Sequence, residues 1–239
     1  MTAELIAACV AENASWCALV CRSHGIGTER VGGWTRTLRP APTHYPDLIT
    51  LDPSITSTEV SEQLRDRDLC SVKDSYARLD LTADGFALLF EAQWLAGSVP
   101  TERTPPQPWH VVGDADEFER WRTAHGDVPS LRPALLDDHE TRLWRRDDGS
   151  HAAGFVAHRT GDVVAVSNAF TSGTGGDTGD NGDNGELWRD MLGLATTGFD
   201  RAVDLTVVAY EPMESLGPPM AAGLRPIGPL CVWLRSPAP

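Results

Sequence analysis

The sequence predicts a mixed α/β (α+β) fold, and three observations carry that prediction. Gly154–Arg159 and Val163–Asn168 are apolar runs joined by Thr160-Gly161-Asp162, whose turn residues make them a hairpin. A second pair, Ala77–Leu81 and Phe86–Trp94, flanks Asp84-Gly85, another strong turn signal. From Glu186 to Phe199, apolar Leu187, Met191, Leu194 and Ala195 recur at the spacing of one helix face, and Gly198 is a plausible stop. The β-branched run Asp204–Tyr210 follows that helix, so strand, helix and strand form a crossover. Pro229–Leu234 reads as the last strand.

Bulk properties narrow the function. The chain has 239 residues, enough for one large or two small domains. With 41% hydrophobic and 23% charged residues, it is composed like a globular protein and not like a disordered one. Its net charge of −14 disfavours nonspecific binding to nucleic acid or to an anionic membrane, so neither DNA nor membrane is expected as a partner. The apolar stretches read as too short for a membrane span. Glu4 and Glu12 replace the basic start of a signal peptide. Five scattered cysteines suit a reducing cytoplasm better than a disulfide framework.

In chain order, Thr2–Cys21 is an amphipathic helix with Leu5, Cys9, Trp16 and Val20 on one face. Asn13 lies among them; buried, it must find a partner, either a neighbouring backbone group or a substrate. Cys17, Cys21 and His24 fit one helical face, and zinc accepts such ligands, but no fourth ligand is near. Core cysteines are the plainer reading, and no metal is expected. His24 either caps the last carbonyls or faces a cleft as a base. Gly25–Pro46 reads as a long loop in which Trp34, His44 and Tyr45 wall a pocket or pin the loop to the core. Leu48–Leu51 is a short strand, and Ser57–Arg67 a helix capped by Ser57 or Thr58.

Cys70–Tyr76 gathers reactive side chains. Lys73 can neutralise a carboxylate or phosphate, Asp74 can orient it or take a proton, and Ser75 stands beside them. A solvated turn with a local ion pair is the alternative. Neither a Ser-x-x-Lys nor a Gly-x-Ser-x-Gly arrangement is present. Gly97–Pro108, rich in Pro and Thr, is the boundary between halves at 1–100 and 108–239. Trp109–Val112 is a strand. Asp114–His125 is a helix with Asp114 as N-cap, core residues Phe118 and Trp121, and Gly126 as stop. Arg142, Arg145 and Arg146 form a basic concentration diluted by Asp147 and Asp148.

The order from Gly154 to Leu234 (hairpin, glycine loop, helix, strand, short helix, strand) resembles the second half of the GCN5-related N-acetyltransferase (GNAT) fold. The resemblance implies a mostly antiparallel central sheet flanked by helices. Because both halves offer helix, hairpin and polar cluster, it also allows a tandem of two reduced GNAT-like halves. In that family the strand before the main helix splays from the strand after it. The acyl thioester arm lies between them, and the pyrophosphate sits on backbone N–H groups at the helix start. Thr171–Gly185 occupies the pyrophosphate position here. It has glycines but lacks the family's Arg or Gln ahead of them, and it carries Asp177, Asp180 and Asp183. A flexible solvated loop is the favoured reading, and the calcium-loop order of ligands is not met. The family often places a tyrosine acid four residues before a Gly-Phe pair. The pair here is Gly223-Leu224, and Pro219 stands at the tyrosine's place.

The resemblance implies acyl transfer from a thioester or ester donor to the amine of a small molecule. Asn168 and the backbone beside Ser167 would meet the acyl group, with Tyr210 or Glu211 handling protons. Asn13, Trp16, His24, Trp34, Tyr45, Lys73, Asp74, Ser75, Trp94 and Ser167 would contact substrate. No tightly bound cofactor is expected. The donor would be acyl-CoA, a carrier protein or an aminoacyl-tRNA, with acidic charge counting against the last. For Tyr210 and for Ser167-Asn168, a plain strand-end or turn role stays open. A non-catalytic small-molecule binder lined by Trp16, Trp34 or Trp94, and a regulatory partner protein, are the competing classes. Homodimerisation is compatible with each.

Overall fold

The computed structural model describes residues 2–98, 108–147, 149, 151–173, 181–199 and 205–236. The elements run α1 (Thr2–Ser23), β1 (Thr28–Val31), β2 (Trp34–Thr37), β3 (Leu48–Thr50), α2 (Ser57–Gln63), β4 (Cys70–Asp74), β5 (Ala87–Ser98) and β6 (His110–Val111). They continue with α3 (Ala115–Ala124), β7 (Thr141–Asp147), β8 (His151–Thr160), β9 (Val163–Gly173), α4 (Asn181–Leu194), β10 (Thr206–Pro212), α5 (Gly217–Ala221) and β11 (Arg225–Arg235). Two compact units result. The first is Met1–Trp94 with Tyr210–Met213 and Ile227–Pro239; the second is Leu95–Ala209 with Glu214–Pro226. This division differs from a cut between 100 and 108, because β11 returns to register against β4, from Cys231↔Asp74 to Arg235↔Cys70.

In the first unit the strand order is β1-β2-β3-β4-β11-β5. The β3/β4 pair is parallel; β1/β2, β2/β3 and β4/β11 are antiparallel. Its core joins Trp34, Leu48, Val60, Leu64, Cys70, Val72, Cys231 and Trp233. The expected loop at 25–46 holds instead the hairpin β1/β2, turned through Gly32-Gly33, with Gly32 at φ 55°. Its strands are polar and half-exposed, so no apolar alternation announces them, although the glycine pair does fit a two-residue turn. The expected strand at Ala77–Leu81 is irregular, and Gly85 (φ 80°) ends a 3-10 turn at Thr82–Asp84 where a hairpin was expected. The cap of α2 is Thr56, one residue ahead of the expected pair: Glu59 N–H donates to Thr56 Oγ1 and the Thr56 N–H to Glu59 Oε2, a capping box.

By length and composition α1 could cross a membrane, contrary to the expectation that no stretch is long enough; half of that stretch is buried in the fold. Cys9, Val10, Trp16, Cys17, Val20 and Cys21 supply the buried face, with Glu12 and Asn13 among them.

In the second unit the order is β10-β9-β8-β7-β6, with β9/β10 parallel and the rest antiparallel. The hairpin of β8 and β9 closes on Gly161-Asp162, between Thr160 and Val163, as its turn residues require. Leu187, Trp188, Met191 and Leu192 of α4, with Ala195 just after it, share one core with Phe155, Val164, Val166 and Val207. Fully burying a side chain such as Met191 contributes about 2 kcal/mol, so this face fixes the helix on the sheet. Asp190 adds a polar anchor, accepting from Trp109 Nε1 at 3.1 Å and Arg146 Nη1 at 3.2 Å. Asp114 caps α3 through the Glu117 N–H, as its sequence signal indicates.

Candidate functional site

Strand β4 alternates its faces. Cys70 and Val72 point into the first unit's core, and Lys73 points towards α1. Lys73 is only 3% exposed. Its Nζ donates to Asn13 Oδ1 at 3.0 Å and sits 3.9 Å from the centroid of the Tyr210 ring. A buried ammonium is costly unless a carbonyl dipole or a π face compensates it, and both are present. Trp94 meets Tyr210 edge-on at 5.5 Å and donates from Nε1 to the Ser75 carbonyl at 2.8 Å. Thus Asn13, Lys73, Ser75, Trp94 and Tyr210, scattered in sequence, form one chain of contacts. Cys17 joins it weakly, its Sγ 3.9 Å from Asn13 Oδ1, and burial pushes its thiol up to about 12.

Asp74 is committed to the backbone. Its carboxylate accepts from the N–H groups of Tyr76 (3.2 Å), Arg78 (2.6 Å) and Leu79 (2.7 Å), across a turn that holds Ala77 at φ 50°. Ser75 is fully buried, and its N–H donates to Thr50 Oγ1 at 2.9 Å. The segment is therefore a buried strand end and not a solvated turn. Glu211 differs: it is half-buried, and burial alone pushes its carboxyl up to about 7.

Trp34 packs in the first unit's core with Arg36 over its ring. Tyr45 is half-buried, its carbonyl accepting from Ser71 Oγ, and the His24 N–H caps the Cys21 carbonyl at the end of α1. Trp16 is buried in α1. Among the described residues, no group of three or more His, Cys, Asp or Glu converges for a metal. A shallow cleft opens between α1 and β1–β3, lined by Cys17, Cys21, Arg36 and Asp47 among others. Its charges are already engaged: Asp47 pairs with Arg67 at 2.7 Å and Arg36 with Glu29 at 2.5 Å.

In the second unit, Ser167 and Asn168 sit at an irregularity. The β8/β9 register passes from Gly154↔Phe170 to Val156↔Ser167, so Asn168 and Ala169 together oppose Phe155. That is a β-bulge, with Asn168 at φ 52° and its Nδ2 donating to Ser167 Oγ at 3.0 Å. The parallel register of β9 with β10 ends nearby, at Ala165↔Val208. Helix α3 braces the bulge. His125 and Trp121 pack on Phe170 at 4.9 and 5.2 Å, and Trp121 Nε1 donates to the Trp144 carbonyl at 3.0 Å. Gly154 permits this approach, because a Cβ there would lie 2.6 Å from Phe170 and from Trp121 Nε1. Burial lowers the His125 pKa, with the backbone of Asn168 acting the other way. Sequence reasoning missed His125 and Phe170; the i, i+4 spacing of Trp121 and His125 was the available signal. Asp177 and Asp180 of the expected solvated loop lie outside the described residues, as does the side chain of Asp183.

Two solved structures resemble this arrangement. A GNAT-family protein from Novosphingobium aromaticivorans superposes with a TM-score of 0.56 at 13% identity, covering 96% of this chain and 99% of that one. A conserved protein of unknown function from Staphylococcus epidermidis gives 0.57 at 8% identity, covering 88% and 93%. At such identities the likeness is one of fold. The fold is GNAT-like: mixed, mostly antiparallel and flanked by helices. No protein-family profile and no curated protein matches the sequence.

Proposed function

We propose that the protein is an N-acyltransferase that moves an acyl group from a thioester donor, acyl-CoA in the first instance, to the amine of a small molecule. The observation that carries this reading is the bulge at Asn168-Ala169, in the strand that leads to the α4 crossover of a GNAT-like fold. A bulge takes backbone groups out of the ladder. Those groups, with the Asn168 amide, are the second unit's candidates for contact with the acyl donor.

In this reading the amine nitrogen attacks the thioester carbonyl, the C–N bond forms and the C–S bond breaks. The leaving thiolate takes a proton from the Tyr210 hydroxyl, and the amine proton passes to Glu211 through solvent, since neighbouring residues of β10 leave opposite faces of the strand. A carboxyl whose pKa is near 7 suits a base working near neutral pH. Five free, buried cysteines support a reducing compartment.

A non-catalytic small-molecule binder is the second reading. It is favoured by the burial of Asp74 and Lys73 and by their contacts inside the fold, which turn both towards structure. Thermal-shift and native mass-spectrometric titration with CoA, acetyl-CoA and longer acyl-CoAs, followed by turnover with an amine panel, separates the two. A saturable shift with CoA species and acyl-amide product support transfer. No response to any CoA species removes acyl-CoA as donor and directs the test to carrier proteins and aminoacyl-tRNA.

A further inference from the structure

Lys73 is the only lysine in the chain; every other member of its 20 Lys and Arg residues is arginine. It is also buried, on β4 between Ile49 of β3 and Val232 of β11. A basic residue kept for solubility would stand in water, and a phosphate or carboxylate clamp would use the arginine found everywhere else. The ammonium meets two side chains already described, the Asn13 amide oxygen at 3.0 Å and the Tyr210 ring at 3.9 Å.

We propose that Lys73 is a positioning residue for Tyr210, pressing its ammonium on the ring face while Asn13 holds the ammonium in place. The inference rests on the acyltransferase reading, in which Tyr210 supplies the proton to the leaving group. The ring is then held on two sides, by the cation on its face and by Trp94 edge-on. Lys73 touches neither donor nor acceptor in this role. Replacing a buried charge by an apolar side chain of similar length is often neutral for stability, so Lys73→Met should fold.

The test has two arms. With a single lysine, ε-¹³C-lysine labelling yields one signal, and its protons should resonate upfield of an exposed lysine because they lie over the ring. Tyr210→Leu should return them downfield, and a signal at the exposed-lysine position in the wild type overturns the contact. In the kinetic arm, Lys73→Met should lower kcat about tenfold or more, at unchanged KM, with partial recovery in Lys73→Arg. Wild-type kcat in a folded Lys73→Met variant overturns the positioning role while leaving acyl transfer intact. A wild-type protein that transfers acyl groups from no donor overturns the acyltransferase reading and this inference with it.

Discussion

Asp74 and Glu211 are both carboxylates of the first unit, and their surroundings are opposite. Asp74 is 1% exposed, yet three backbone N–H groups satisfy it. Glu211 is less buried, but desolvation is the one cause acting on its carboxyl, and its pKa rises to about 7. Burial by itself therefore does not mark a reactive acid. A buried carboxylate whose lone pairs are filled holds structure together. One left short of partners stays available to take a proton.

Breaking this contrast should have its largest effect at Asp74. Asp74→Ala strands three backbone donors in a buried turn, and we expect a loss of roughly 3 kcal/mol or more in chemical denaturation. Activity per folded molecule should survive. A small loss would mean that the turn finds other acceptors. Glu211→Gln should do the reverse, lowering kcat about a hundredfold, or about 2.7 kcal/mol of barrier, while the fold is kept. Retained turnover would assign the proton to another group.

The same logic of close packing extends to the second unit. Gly154→Ala puts a methyl carbon within 2.6 Å of Phe170 and Trp121, and should cost about 2 kcal/mol while disturbing the bulge. Retained stability and acyl binding would show that the brace yields. The smallest effect is the pH dependence of stability. Glu211 has a folded pKa above its unfolded value of 4.5, so the native state binds the extra proton between pH 4.5 and about 7. Stability from this group is full below pH 4.5 and is lost as pH rises to 7. Discounted for partial exposure, the loss is about 1 kcal/mol, and Glu211→Gln should flatten it in denaturation curves taken at pH 5 and pH 8. An unchanged curve would place the Glu211 pKa near that of an ordinary carboxylate.

Much of the fold was legible where a periodic apolar pattern met a clear stop. Helix α1, the Asp114 cap of α3, the hairpin through Gly161-Asp162 and the crossover to β10 all follow from short-range rules. The hairpin of β1 and β2 was not legible, because half-exposed polar strands carry no alternation. Of the candidate site, residue type and local setting pointed to Asn13 and Lys73, and position in the resemblance pointed to Tyr210, Glu211 and Asn168. What each does could not be read, since adjacent residues of β4 have unlike roles: Asp74 is spent on its own turn and Lys73 on a ring from β10.

The sequence by itself determined most of the helices, the strands of the second unit and the polar residues near strand ends, because those depend on neighbours a few positions away. Only the tertiary structure decided which carboxylate is satisfied, which cation is buried and where β9 bulges. Those outcomes depend on which distant groups share one low-dielectric environment, and on the steric room left for Asn168 and Ala169 opposite Phe155 once α3 packs on Phe170.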